Sequence, residues 1–146
     1  MSETFTIRRQ VEFNHCDAAG IVFYPRYFEM ISSLTERFFS DALDFSWASI
    51  GLSEGYGTPM GNIEVRFHAP SLLEDWLELS LQVERIGRSS ATFLITCACE
   101  GARRFTCKAT VVYANIKTGG SEPWPETPRA TMSRYLTASS QNERQD

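Results

Sequence analysis

The sequence has only two histidines, no C-x-x-C pair and no run near the ~18 consecutive apolar residues that a membrane span requires. Zinc is thus left without a ligand set, no metal or cofactor is expected, and no membrane is expected as a partner. Charge of one sign is also scarce. Fourteen basic against 18 acidic residues leave a net −4, which excludes a nucleic-acid surface spread over the whole chain, although a local basic pocket stays open. The opening Met1-Ser2-Glu3-Thr4 lacks a basic segment followed by an apolar one, so a cytoplasmic protein is expected. The four cysteines, at 16, 97, 99 and 107, then read as free thiols rather than a disulfide framework. Internal repeats and linkers are missing too. Residues 1–138 are expected to form one domain able to bury a core, with 139–146 a disordered tail.

What is present gathers around the stretch Asn14 to Phe28. Residues 4–13 alternate as a half-covered strand, through Phe5 and Ile7 and again at Val11 and Phe13. Residues 25–43 carry Tyr27, Phe28, Ile31, Leu34, Phe38 and Leu43 at helical spacing, an aromatic content that calls for enclosure by a sheet or a partner. Between them lie Asp17, small residues and Gly20, which allow a turn, and then Pro25, which suits a first helical turn. A carboxylate just before a helix start pairs an acid with unpaired N–H donors and a partial positive charge, the combination that a developing oxyanion needs.

Further along, residues 45–51 read as a short helix capped by Ser46 and stopped by Gly51, followed by a loop with Gly55, Gly57 and Pro59. Strands are expected at 60–69, 76–86, 90–100 and 103–115, with Cys97 and Cys99 on one face, and a last helical turn or two at 130–136. The whole is α+β: a five- to six-stranded antiparallel sheet, strongly curved around one long helix, with edge strands free for association.

The junction Val-Glu-Phe-x-x-Cys-Asp17-x-Ala-Gly20-Ile-Val-x-Tyr24-Pro25-x-Tyr27 resembles the 4-hydroxybenzoyl-CoA thioesterase family of acyl-CoA thioesterases, which have the hotdog fold. The likeness is strong over residues 11–27 and continues thinly through Trp47, Thr58-Pro59, Phe67 and Arg88. It implies hydrolysis of an aromatic or medium-sized acyl-CoA to the free acid and CoA. Asp17 would act as nucleophile or as base towards water, and the backbone N–H of Tyr24 would polarise the thioester carbonyl. It implies an acyl pocket near Gly20, Trp47, Thr58 and Pro59, and CoA phosphates held by Arg88, with Arg85 beside it. A homodimer, or a tetramer of two dimers, is implied as well. Ser32 stands where the 4-hydroxybenzoyl-CoA enzyme has an acid for the phenol hydroxyl. A serine can hydrogen-bond but supplies no charge, so a different acyl group is expected.

Two other functions share the fold. A hydratase or dehydratase needs an acid and a histidine placed together, and Tyr24 stands where that histidine would follow. A non-catalytic acyl-thioester binding protein would keep the pocket without needing Asp17. Among the remaining reactive residues, His15 reads as a loop residue or a partner of Asp17, His68 as structural, and Cys16 as a thiol without an evident activating base.

Overall fold

The computed structural model describes residues 2–138, and the expected tail at 139–146 lies outside them. In chain order the elements are β1 (Phe5–Gln10), α1 (Tyr24–Arg37), β2 (Tyr56–Gly57), β3 (Met60–Phe67), β4 (Trp76–Ile86), β5 (Ser90–Cys99), β6 (Ala102–Val112), β7 (Ala114–Asn115) and α2 (Glu126–Ser133). Period-two alternation makes the sheet one-sided. Leu77, Leu79, Leu81 and Val83 of β4, Phe93, Ile95 and Cys97 of β5, and Phe105, Cys107 and Ala109 of β6 are all buried. The residues between them face outward. The main sheet has five antiparallel strands in the order β1-β4-β5-β6-β3, while β2 and β7 form a separate small ladder. Register shifts place one extra residue in a strand, Gly61 in β3, Glu84 in β4 and Arg104 in β6, and each bends and twists its strand locally.

The buried face of the sheet holds α1. Tyr27, Met30, Ile31, Leu34 and Thr35 are buried, and the Thr35 hydroxyl is satisfied by the Ile31 carbonyl at 2.8 Å. The helix then widens into a π turn at Phe38–Ala42, closed by Leu43 N–H on Phe38 O at 3.1 Å. Adjacent residues of a regular helix point about 100° apart. The wider turn lets both Phe38 and Phe39 bury completely. Phe38 meets the rings of Phe5, Phe93 and Tyr135 at 5.1–5.7 Å and so ties the edge strand β1, the central strand β5 and the segment after α2 together.

Four boundaries differ from the sequence expectation. The first strand stops at Gln10, and Phe13 lies instead in a 3₁₀ turn, 84% exposed. The turn is pinned because His15 Nδ1 accepts the Glu12 N–H at 2.9 Å. Ser46 does cap the second helical segment, its Oγ accepting Ser49 N–H at 3.1 Å, but Gly51 does not end it. Helical turns run on to Ser53, and Gly55, at φ +76°, is where the chain reverses. The last long strand breaks at Tyr113, and the final helix begins at Glu126 rather than 130.

Candidate active site

The junction before α1 is a miniature hairpin. Cys16 and Val22 form an antiparallel bridge, Asp17 N–H donates to Ile21 O at 3.0 Å, and Phe23 N–H donates to His15 O at 2.9 Å. Asp17 and Gly20 occupy the tip. Gly20 N–H bonds Asp17 O at 3.0 Å, and the Asp17 carboxylate accepts the Ala19 N–H through Oδ1 at 2.9 Å. Gly20 has φ +79°, a region open to glycine at little cost. One carboxylate oxygen therefore shapes the turn. The other oxygen takes no hydrogen bond among the described residues, and the side chain is exposed in the single chain.

The hairpin is docked from behind. Val22 N–H donates to Ser71 O at 2.9 Å, and Ile21 bridges Leu72. Ser71 is fully buried, its hydroxyl accepting the Tyr27 O–H at 2.8 Å. Burial raises the Tyr27 pKa above its ordinary value, so this phenol stays a donor. Asp75 closes the next turn, Oδ2 accepting Leu72 N–H at 2.8 Å with Arg104 at 3.8 Å. In the sequence, Pro70-Ser71 reads only as a turn between the strands expected at 60–69 and 76–86. The missed signal is that Ser71-x-x-x-Asp75 follows a proline and precedes an apolar strand, which favours a side-chain-closed turn.

At the helix start, Phe23 N–H is taken by His15 O, Pro25 has no N–H, and Arg26 N–H turns back to Phe23 O at 2.9 Å. Tyr24, at the first helical position, has an amide with no intrahelical acceptor. The residue is 59% exposed, and its ring packs edge-on against Phe23 and Phe67.

Asp17, Gly20 and Tyr24 thus share one end of α1. Trp47, Thr58, Pro59 and Arg88 share the other. Trp47 packs on Phe39 at 6.3 Å, beyond the last turn of the helix. Trp124 stacks on Phe39 and donates its backbone N–H to the carbonyl of Arg88, whose side chain is exposed. Pro59 O accepts Val112 N–H at 3.0 Å, at the start of β3. Ser32 lies between the two groups on the exposed side of α1, and Arg85 is exposed at the end of β4. Fourteen residues of helix separate the groups by roughly 20 Å, so a single chain does not bring them together.

His15 Nδ1 is occupied as an acceptor, and His68 Nε2 bonds Thr106 Oγ1 at 3.1 Å on the outer sheet face. All four cysteines are free. Burial pushes the Cys97 thiol up to about 12 and the Cys107 thiol up to about 11, which suppresses the thiolate.

A long helix enclosed by a bent antiparallel sheet, with the chain entering that helix through a carboxylate-bearing turn, defines the hotdog fold. A thioesterase superfamily structure from Jannaschia sp. CCS1 superposes with a TM-score of 0.85 at 23% identity, over 92% of this chain and 94% of that one. A mutant 4-hydroxybenzoyl-CoA thioesterase complexed with 4-hydroxybenzoyl-CoA superposes with a TM-score of 0.81 at 19% identity, over 88% and 98%. The Thioesterase-like superfamily model matches residues 11–132, and the chain belongs to that superfamily. It is also similar to the 4-hydroxybenzoyl-CoA thioesterase of Pseudomonas sp. (strain CBS-3), 25% identical over 91 residues, 62% of this chain and 64% of the relative's length.

Proposed function

We propose that this protein hydrolyses acyl-CoA thioesters, with Asp17 as nucleophile or general base and the Tyr24 amide polarising the thioester carbonyl. The observation that carries this reading is the hairpin, which hydrogen-bonds the turn bearing Asp17 to the residue immediately before Tyr24. A thioester is a reactive acyl donor. Holding its carbonyl on one amide at a positive helix end, with one carboxylate oxygen nearby, supplies orientation and charge stabilisation without a serine or cysteine nucleophile. The relatives support the substrate class, because one acts on 4-hydroxybenzoyl-CoA by name and another is complexed with it. We take the acyl group here to be aromatic or medium-sized and other than 4-hydroxybenzoyl, since Ser32 brings no charge.

The roughly 20 Å between the two groups is bridged by a second copy. Among the described residues β3 pairs only with β6, leaving an open edge. Antiparallel pairing of that edge with the same edge of a second chain places the start of one β3 beside the end of the other. Thr58, Pro59 and Trp47 of one chain then approach Asp17 and Tyr24 of its mate. The functional unit is a homodimer, paired again or not, with Arg88 at the rim to receive CoA phosphates. No helix among the described residues is long and apolar enough to cross a membrane.

The test is free-thiol release from benzoyl, aryl-acetyl and short-to-medium fatty acyl-CoAs. Asp17→Asn is expected to lower kcat at least ~10²-fold, the scale lost with a positioned acid–base group. Equal rates for parent and variant would remove Asp17 from the mechanism, and binding without turnover would leave an acyl-thioester binding protein.

A further inference from the structure

The inward register of β1 contains a charge. Phe5 and Ile7 pack on the core, and the next inward position is Arg9, paired across the sheet with the fully buried Leu77. Val11, two residues on, is buried again. An arginine on the covered side of an edge strand is expected to meet a carboxylate. Arg9 meets none among the described residues. Its Nη1 donates to Arg8 O at 3.0 Å and its Nη2 to Ser33 Oγ on α1 at 3.0 Å, both neutral acceptors.

The guanidinium borders a pocket of about 160 Å³ with His15, Arg26, Glu29, Met30 and Ser33. That is below the ~300–1,000 Å³ of a pocket for a whole small molecule, so it accommodates one group of a larger ligand. Its single carboxylate, Glu29, is engaged by Arg26 at 3.0 Å. His15 spends Nδ1 as an acceptor, which leaves Nε2 as its donor. Two guanidinium groups, one imidazole N–H and one carboxylate leave an excess of positive charge and of donors. The pocket also adjoins the reaction centre: the His15 carbonyl holds the residue before Tyr24, and Arg26 lies two residues beyond it.

We propose that this pocket binds an anionic oxygen group, a carboxylate or a phosphate, carried by the thioester substrate, with Arg9 as its principal ligand. The proposal rests on the thioesterase reading for the identity of that substrate. Two parts of an acyl-CoA carry such a group. The pantetheine arm holds the coenzyme's phosphates well away from the thioester, whereas a second carboxylate on a short acyl chain lies within a few bonds of it. The position beside the hairpin therefore favours an acyl group that is itself an acid.

The test uses Arg9→Met, which fills the same inward position with an apolar chain, and Arg9→Lys, which keeps the charge. Parent and variants are compared on glutaryl-CoA against the uncharged valeryl-CoA, and on both as dephospho-CoA thioesters. The expected result is an about tenfold fall in the glutaryl-to-valeryl ratio of kcat/KM in Arg9→Met, the scale of one lost charged hydrogen bond, with partial recovery in Arg9→Lys. An equal loss for both acyl groups that vanishes with dephospho-CoA assigns the same anion site to the coenzyme phosphate. A second readout needs no turnover: free glutarate or inorganic phosphate raises the melting temperature of the parent and not of Arg9→Met. If neither the ratio, the coenzyme dependence nor the melting shift responds to Arg9→Met, the arginine serves only to keep the strand edge from pairing, and the proposal falls. A parent that hydrolyses no thioester yet shows the anion-dependent shift overturns the thioesterase reading and leaves the anion site standing.

Discussion

At the scale of single residues, the junction works because each polar group has one assignment. Asp17 Oδ1 closes its own turn, Ser71 anchors Tyr27, and His15 pins the preceding 3₁₀ turn. Gly20 carries the backbone strain that this compactness requires. A Cβ at Gly20 meets nothing within 4 Å, so the cost of Gly20→Ala is conformational alone, about 1–2 kcal/mol for a left-handed backbone. Thermal melting is expected to fall by a few degrees. The kcat for thioester hydrolysis is expected to fall more than that loss of stability explains, because the tip carries Asp17. Unchanged turnover in a folded Gly20→Ala protein would separate the turn from catalysis.

Elements obey the sequence where burial has one period. Leu77 to Val83 and Ala91 to Cys99 alternate without interruption, and both strands stand where alternation puts them. Phe38 shows what α1 contributes: with no exposed area and three ring contacts to β1, β5 and Tyr135, its removal leaves a cavity that no neighbour can fill. Phe38→Ala is expected to lower the free energy of unfolding measured in denaturant by about 3–5 kcal/mol, against under 1 kcal/mol for exposed Glu36→Ala. Other features were not legible in advance, for definite reasons. Phe13 continued the apolar alternation, yet a 3₁₀ turn set by His15 carries it off the sheet, and local hydrogen bonding outweighed pattern there. Gly51 looked like a helix stop because a π turn does not announce itself in a short window. Asp17, Gly20 and Tyr24 were readable together because they are close in sequence. Their distance from Trp47 and Arg88 was not, since spacing along a chain says nothing about which end of a helix a later loop reaches.

For the whole molecule, burial of acidic groups sets the behaviour in alkali. Cys97 and Cys107 have pKa values raised by burial from 9.0 to about 12 and about 11, and burial raises Tyr27 in the same direction. The native state therefore holds these protons longer than the unfolded chain does. Their contribution is fully present below about pH 9 and is lost as pH climbs through 11 and 12. Melting temperature is expected to decline steadily above pH 9, and the decline should be shallower in Cys107→Ala. A flat profile to pH 11 would show that these thiols ionise as readily folded as unfolded.

The roughly 20 Å span of α1 gives this protein a genetic signature. If each centre borrows Arg88 from its mate, neither Asp17→Asn nor Arg88→Ala chains rebuild a sound centre among themselves. Co-refolding the two would create mixed pairs in which both lesions fall in one centre and the other has none. Activity should then reappear, up to about one quarter of the parental rate at equal, random pairing, from two populations that are each impaired alone.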